Sequence, residues 1–132
     1  MVNSEWWMVI SERWIIVAGP LNEKSVDFAV RIVKINRFLK DKKEYEIAGQ
    51  NIRSGTSIGA NINEADYAQS RADFISKLSV ALKETAETEY WLKVIHRSEI
   101  IDNEMYNSII EDCLEIKRML VSSLNTAKGN KK

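Results

Sequence analysis

Residues 70–99 read SRADFISKLSVALKETAETEYWLKVIHRSE, and they decide the fold class. Phe74, Leu78, Ala81, Thr85, Thr88, Leu92 and Ile95 recur at alternating intervals of four and three, a spacing that lines up side chains on one face of an α-helix and scatters them across both faces of a strand. Ser70 followed by Asp73 resembles a capping pair, with Asp where Glu or Gln is usual. At 1.5 Å per residue the helix is about 40 Å long, so its apolar seam needs partners of comparable length.

The rest of the chain supplies them. Phe28, Ile32, Ile35 and Leu39 form a helical stripe, widened by Val26, Val30 and Val33, which predicts a helix from about Glu23 to Lys40 with Asn22 or Ser25 as its cap. The polar run Asp41-Lys42-Lys43-Glu44 reads as a turn, and a second helix from about Tyr45 to Tyr67 places Ala48, Ile52, Gly55, Ile58, Ile62 and Ala65 on one side. Beyond a polar turn over 98–103, Asp102 can cap a last helix whose stripe is Ile109, Cys113, Ile116 and Leu120, extended by Leu124 toward Ala127 and ended by Gly129. Short connections between long helices favour antiparallel neighbours. The expected fold is therefore all-α: an up-down-up-down, left-handed antiparallel four-helix bundle over residues 22–128. Phe28, Ile32, Ile35, Ile58, Ile62, Phe74, Leu78, Leu92, Ile109, Ile116 and Leu120 are its expected core.

Residues 1–21 are set apart as an N-terminal arm and 129–132 as a basic tail. The arm holds two apolar runs, Trp6 to Ile10 and Trp14 to Val17, before Gly19-Pro20. It lacks the basic start of a signal peptide, and Glu12-Arg13 breaks its apolar stretch. Two short strands, an irregular arm docked on the bundle, or an extension upstream of the true start all fit.

Three glycines mark the second helix. Each of Gly49, Gly55 and Gly59 costs about 1 kcal/mol relative to Ala in a helix interior. Close approach of another backbone, expected above all at Gly55 and Gly59, would offset that cost, as small residues do between packed helices. A kink near Ser54-Gly55-Thr56 is the other account.

Composition limits the chemistry. Lys plus Arg and Asp plus Glu both number 19, so any attraction to nucleic acid must come from a local patch. No apolar run approaches the roughly 20 residues that span a bilayer. A single Cys113 cannot form an intramolecular disulfide and reads as a small buried hydrophobe, which fits a reducing cytoplasm. One histidine, His96, rules out the paired Glu-x-x-His set of di-iron bundles and reads as a surface or helix-end residue. The glycines of 49–59 lack the Gly-Lys-Ser/Thr ending of a phosphate loop. Glu84, Glu87 and Glu89 read as solvated or interface charges, and Ser54, Ser57, Ser70 and Ser76 share only His96 as a base. No catalytic residue, metal, cofactor or small-molecule substrate is expected.

What remains is surface. Arg31, Lys34 and Arg37 keep within one broad face of the first helix, near Lys24, Lys40, Lys42 and Lys43 and diluted by Asp27 and Asp41, and Arg53 lies in the second helix. Such a face can track phosphates, or simply be solvated. Tyr67, Tyr90, Trp91 and Val94 lie off the main seams and are candidates for an oligomer interface. No aromatic platform for stacking bases is visible.

The run from Ile52 to Ala65, IRSGTSIGANINEA, together with Ser70 to Leu78, SRADFISKL, and Ala81 to Leu92, ALKETAETEYWL, resembles the four-helix-bundle family of 23S ribosomal RNA intervening-sequence proteins. The similarity extends from about Glu23 to Ala127. It implies a bacterial protein tied to insertions in ribosomal RNA genes and assembled as a homopentamer. A related accessory protein of diversity-generating retroelements is a pentameric bundle that binds nucleic acid and a reverse transcriptase. Asn63 departs from the small apolar residue of many relatives, and the tryptophan-rich start has no counterpart. The combined expectation is a non-enzymatic oligomer, nucleic-acid-binding or associated with ribosomal RNA and reverse-transcriptase systems, against a protein-protein scaffold with no nucleic-acid contact.

Overall fold

The computed structural model describes residues 7–10, 13–16 and 20–129. Four helices follow one another: α1 (Pro20–Asp41), α2 (Tyr45–Ala65), α3 (Arg71–Arg97) and α4 (Asn103–Ala127). They form an up-down-up-down bundle in which α2 packs on α1 and α3, and α4 on α3 and, less extensively, α1. Before them, β1 (Trp7–Ile10) and β2 (Arg13–Ile16) pair antiparallel with Trp7 opposite Ile16 and Ile10 opposite Arg13. Their backbones run beside α4 and α3 respectively. Of the expected arm, Pro20 and Leu21 belong to α1 instead; residues 1–6, 11–12 and 17–19, and the tail beyond Gly129, lie outside the described residues.

The core follows from the period. Every side chain of the α3 stripe, from Phe74 to Ile95, is fully buried, as are Ile109, Cys113, Ile116 and Leu120 of α4. All eleven residues expected in the core are buried. Ile52 of the α2 stripe is only half-buried, so that helix closes its core side with the backbone at Gly55 instead.

Helix α1 departs from expectation at its start. It begins at Pro20 rather than about Glu23, because a proline in the first turn gives up an N–H that would have no partner there and carries a helical φ. Asn22 and Ser25, expected as caps, therefore lie inside the helix. The Asn22 amide donates to Asp66 Oδ2 at 3.0 Å, and Ser25 Oγ donates to the Asn22 carbonyl at 2.8 Å. The start of α3 is closer to plan: Ser70 Oγ accepts from the Asp73 N–H, while the shorter Asp73 carboxylate reaches back to the Gln69 N–H. Asp102 caps α4 by accepting from the Met105 N–H at 2.8 Å.

The α1–α2 and α3–α4 turns share a device. The N–H of Glu44 bonds back to the Leu39 carbonyl and that of Ile100 to the Ile95 carbonyl, with Lys43 (φ 64) and Glu99 (φ 66) in the left-handed region. Both turns lie at one end of the bundle. Among the described residues, no helix is long and apolar enough to cross a membrane.

Candidate functional site

Helix α2 stays helical through Ser54, Gly55 and Thr56, so the glycines do not break it. A Cβ at Gly55 would sit 2.8 Å from both Cγ1 and Cγ2 of Ile32, and one at Gly59 would sit 3.1 Å from Ser25 Oγ. At these two positions α1 occupies the space a side chain would need. Gly49 differs: nothing lies within 4 Å of a Cβ built there, and it faces outward. The expected gain from close packing does not exist at Gly49.

The basic face divides in two. Arg31 pairs with Asp112 at 2.6 Å and reaches Ser108 Oγ at 2.7 Å across the α1–α4 seam. Arg53 pairs with Glu84 and Glu87 across the α2–α3 seam, and the hydrogen bond it donates to Glu87 is the main cause of that carboxyl's lowered pKa, aided by the Trp91 indole. These two cations tie helices together. Lys34 and Arg37, by contrast, are exposed and make no ion pair among the described residues; the same holds for Lys40, Lys42 and Lys43 beyond them. Lys42 stands 5.1 Å over the Phe38 ring, still on the outside. Lys24, further up the same helix, is held by Glu115 of α4 at 2.9 Å.

The aromatic candidates also separate. Tyr90, Trp91 and Val94 lie together in the C-terminal half of α3, with the Tyr90 and Trp91 rings edge to face at 5.0 Å. Tyr67, 78% exposed, follows the end of α2 at the opposite end of the bundle. Sequence reading missed Tyr45, 59% exposed at the start of α2, which lines a cleft of about 990 Å³ together with Trp91, Lys43, Gln50 and Ser98. Its partner in that cleft is 46 positions away in the chain, and no local pattern signals the meeting.

Cys113, His96 and Glu89 are each held by burial or by neighbours. Cys113 is fully buried, and burial pushes its thiol up to about 12, too high to supply thiolate at neutral pH. His96 sits in the last turn of α3, its Nε2 2.7 Å from Asn103 Oδ1 and its ring stacked on Tyr106 at 4.1 Å. Burial raises the Glu89 pKa, but hydrogen bonds from Lys117 and Lys93 outweigh it and hold the carboxyl below its ordinary value. Among the described residues, no three His, Cys, Asp or Glu side chains gather as a metal site would require.

The family described as 23S rRNA-intervening sequence protein matches the chain over residues 21–122, from the second residue of α1 into α4. A crystal structure of a protein with unknown function from the S23 ribosomal protein family of Bacteroides thetaiotaomicron is similar to this chain with a TM-score of 0.78 and 54% identity. That match covers 80% of this chain and 98% of the other. No curated protein matches.

Proposed function

We propose that this chain, which belongs to the 23S rRNA-intervening sequence protein family, is a non-enzymatic, self-associating bundle of the cytoplasm that holds RNA or DNA by its phosphate backbone. One observation carries the reading. Lys34, Arg37, Lys40, Lys42 and Lys43, with the exposed Asp41 among them, form a run of exposed cations without carboxylate partners among the described residues; Lys83, Arg97, Arg118 and Lys128 are unpaired too but scattered along the chain, whereas Lys24, Arg31, Arg53, Lys77, Lys93 and Lys117 are paired. Unpaired cations on one segment are free to replace the counterions of a phosphate backbone. Self-association, as the pentamer the resemblance implies, would repeat the run and turn a weak contact into a strong one.

An anisotropy titration with structured RNA and duplex DNA at two salt concentrations tests this. Binding should weaken steeply with salt, and Lys34→Glu with Arg37→Glu should weaken it further and flatten the salt dependence by about one unit of log–log slope per lost phosphate contact. Light scattering should report a mass several times the 15.2 kDa chain. No binding at low salt, or binding indifferent to the charge reversal in an intact oligomer, would favour the second reading, a protein-protein scaffold. The exposure of Tyr67, Val26 and Val30 speaks for that alternative.

A further inference from the structure

We infer that the end of the bundle around Tyr90 and Trp91 binds unpaired bases of a single-stranded nucleic acid, in two adjacent aromatic clefts. The inference rests on the nucleic-acid reading above and adds to it a site of different chemistry at the turn end of the bundle, where Lys43 of the cation run also lines the larger cleft.

Trp91 is a positioned ring. Its indole N–H donates to Glu87 Oε2 at 3.0 Å, and Arg53 holds that carboxylate in turn. Tyr90 meets Trp91 edge to face, with an interplanar angle of 71°, and is 57% exposed, so it presents ring surface to solvent at a fixed angle. On the Trp91 side lies the cleft of about 990 Å³, walled by Tyr45, Lys43, Gln50 and Ser98. On the Tyr90 side lies a smaller one of about 310 Å³, walled by Val94, Lys93, Arg97 and Ser98. Ser98 belongs to both, so the two clefts adjoin.

The rim carries charge of both signs. Lys43 is turned outward from the α1–α2 turn, and Arg97 ends α3; both are exposed and neither is ion-paired among the described residues, while Lys93 is held by Glu89 at 3.4 Å. Glu44 and Glu46 also line the larger cleft. Their carboxylates repel phosphate and accept hydrogen bonds from exocyclic amino groups. A base therefore enters the cleft while its backbone passes over Lys43 and Arg97. Ring faces beside cations are how proteins hold single strands, because every base has a face to stack whereas a duplex hides its own.

The test compares a short single-stranded RNA with the same sequence as a duplex, on the full chain. Tyr90→Ala and Tyr45→Ala should each weaken single-strand binding about tenfold and leave duplex binding unchanged, with Tyr90→Phe close to wild type. Lys34→Glu with Arg37→Glu should weaken both ligands. Both tyrosines are exposed, and circular dichroism would verify that the variants fold. Single-strand affinity indifferent to both alanine variants would overturn the inference, as would an equal loss for duplex. Loss of the oligomer in Tyr90→Ala with RNA binding intact would overturn it too, assigning the face to a second copy of the chain. If the charge reversal changes nothing while the tyrosine variants weaken single-strand binding, the phosphate run fails and this site stands.

Discussion

Against α2, helix α1 lays Ile32 over Gly55 and Ser25 over Gly59, so that α1 side chains, rather than the backbone approach expected, fill the space where α2 has none. Against α4, the same helix reaches out with Arg31 to Asp112 and Lys24 to Glu115, bridging the seam with long charged side chains. The magnitudes differ as much as the geometry. Full burial of an isoleucine such as Ile32 is worth about 1.5–3 kcal/mol, whereas ion pairs this exposed typically contribute about 0–1 kcal/mol and weaken with salt. The first seam is set by shape and tolerates little. The second is set by charge and tolerates much.

The strongest way to break that contrast is to fill the first seam. Gly55→Leu should destabilise the protein by about 3 kcal/mol, the upper end for overpacking, read as a lower denaturant midpoint. The smaller Gly55→Ala should lose less, because Ala recovers about 1 kcal/mol of helix propensity. Its cost should shrink in an Ile32→Ala background, where the clashing atoms are gone. Additive losses would show that the two residues do not compete for one space.

Gly49→Ala probes the outer face of the same helix. With open space around the new methyl group, it should stabilise by about 1 kcal/mol. A loss there would mean that Gly49 is covered by a partner copy in solution, so the thermal melt should be taken alongside light scattering.

The smallest effect belongs to the charged seam. Arg31→Met keeps the aliphatic stem while removing the bond to Asp112, and should cost about 0.5 kcal/mol at low ionic strength. The difference should fade in molar salt, where screening acts within about 3 Å. A cost that persists undiminished would assign Arg31 a packing role.

The fold was legible because each helix repeats its own pattern. The stripe from Phe74 to Ile95, the Asp102 cap and the Gly129 stop are local signals, each readable within a few turns. The α1 start was misplaced because Asn22 and Ser25 look like caps until Asp66, far along the chain, claims one of them. The turns at Lys43 and Glu99 gave no sign of left-handed backbone, since neither is the glycine that usually marks it.

The candidate site divides along the same line. Sequence alone determined that four long amphipathic helices must pack together, that small residues mark α2, and which cations and aromatics are left for the surface, because hydrophobic period and helix propensity act over neighbouring residues. Which of those surface residues are available depends on contacts between helices. Arg31 finds Asp112 and Arg53 finds Glu84 and Glu87 across seams, leaving Lys34 and Arg37 unpaired among the described residues. Tyr45 and Trp91, from different helices, come to line one cleft. Pairing of charges and clustering of rings act through space, over separations of tens of residues, and the order of residues along a helix does not record them.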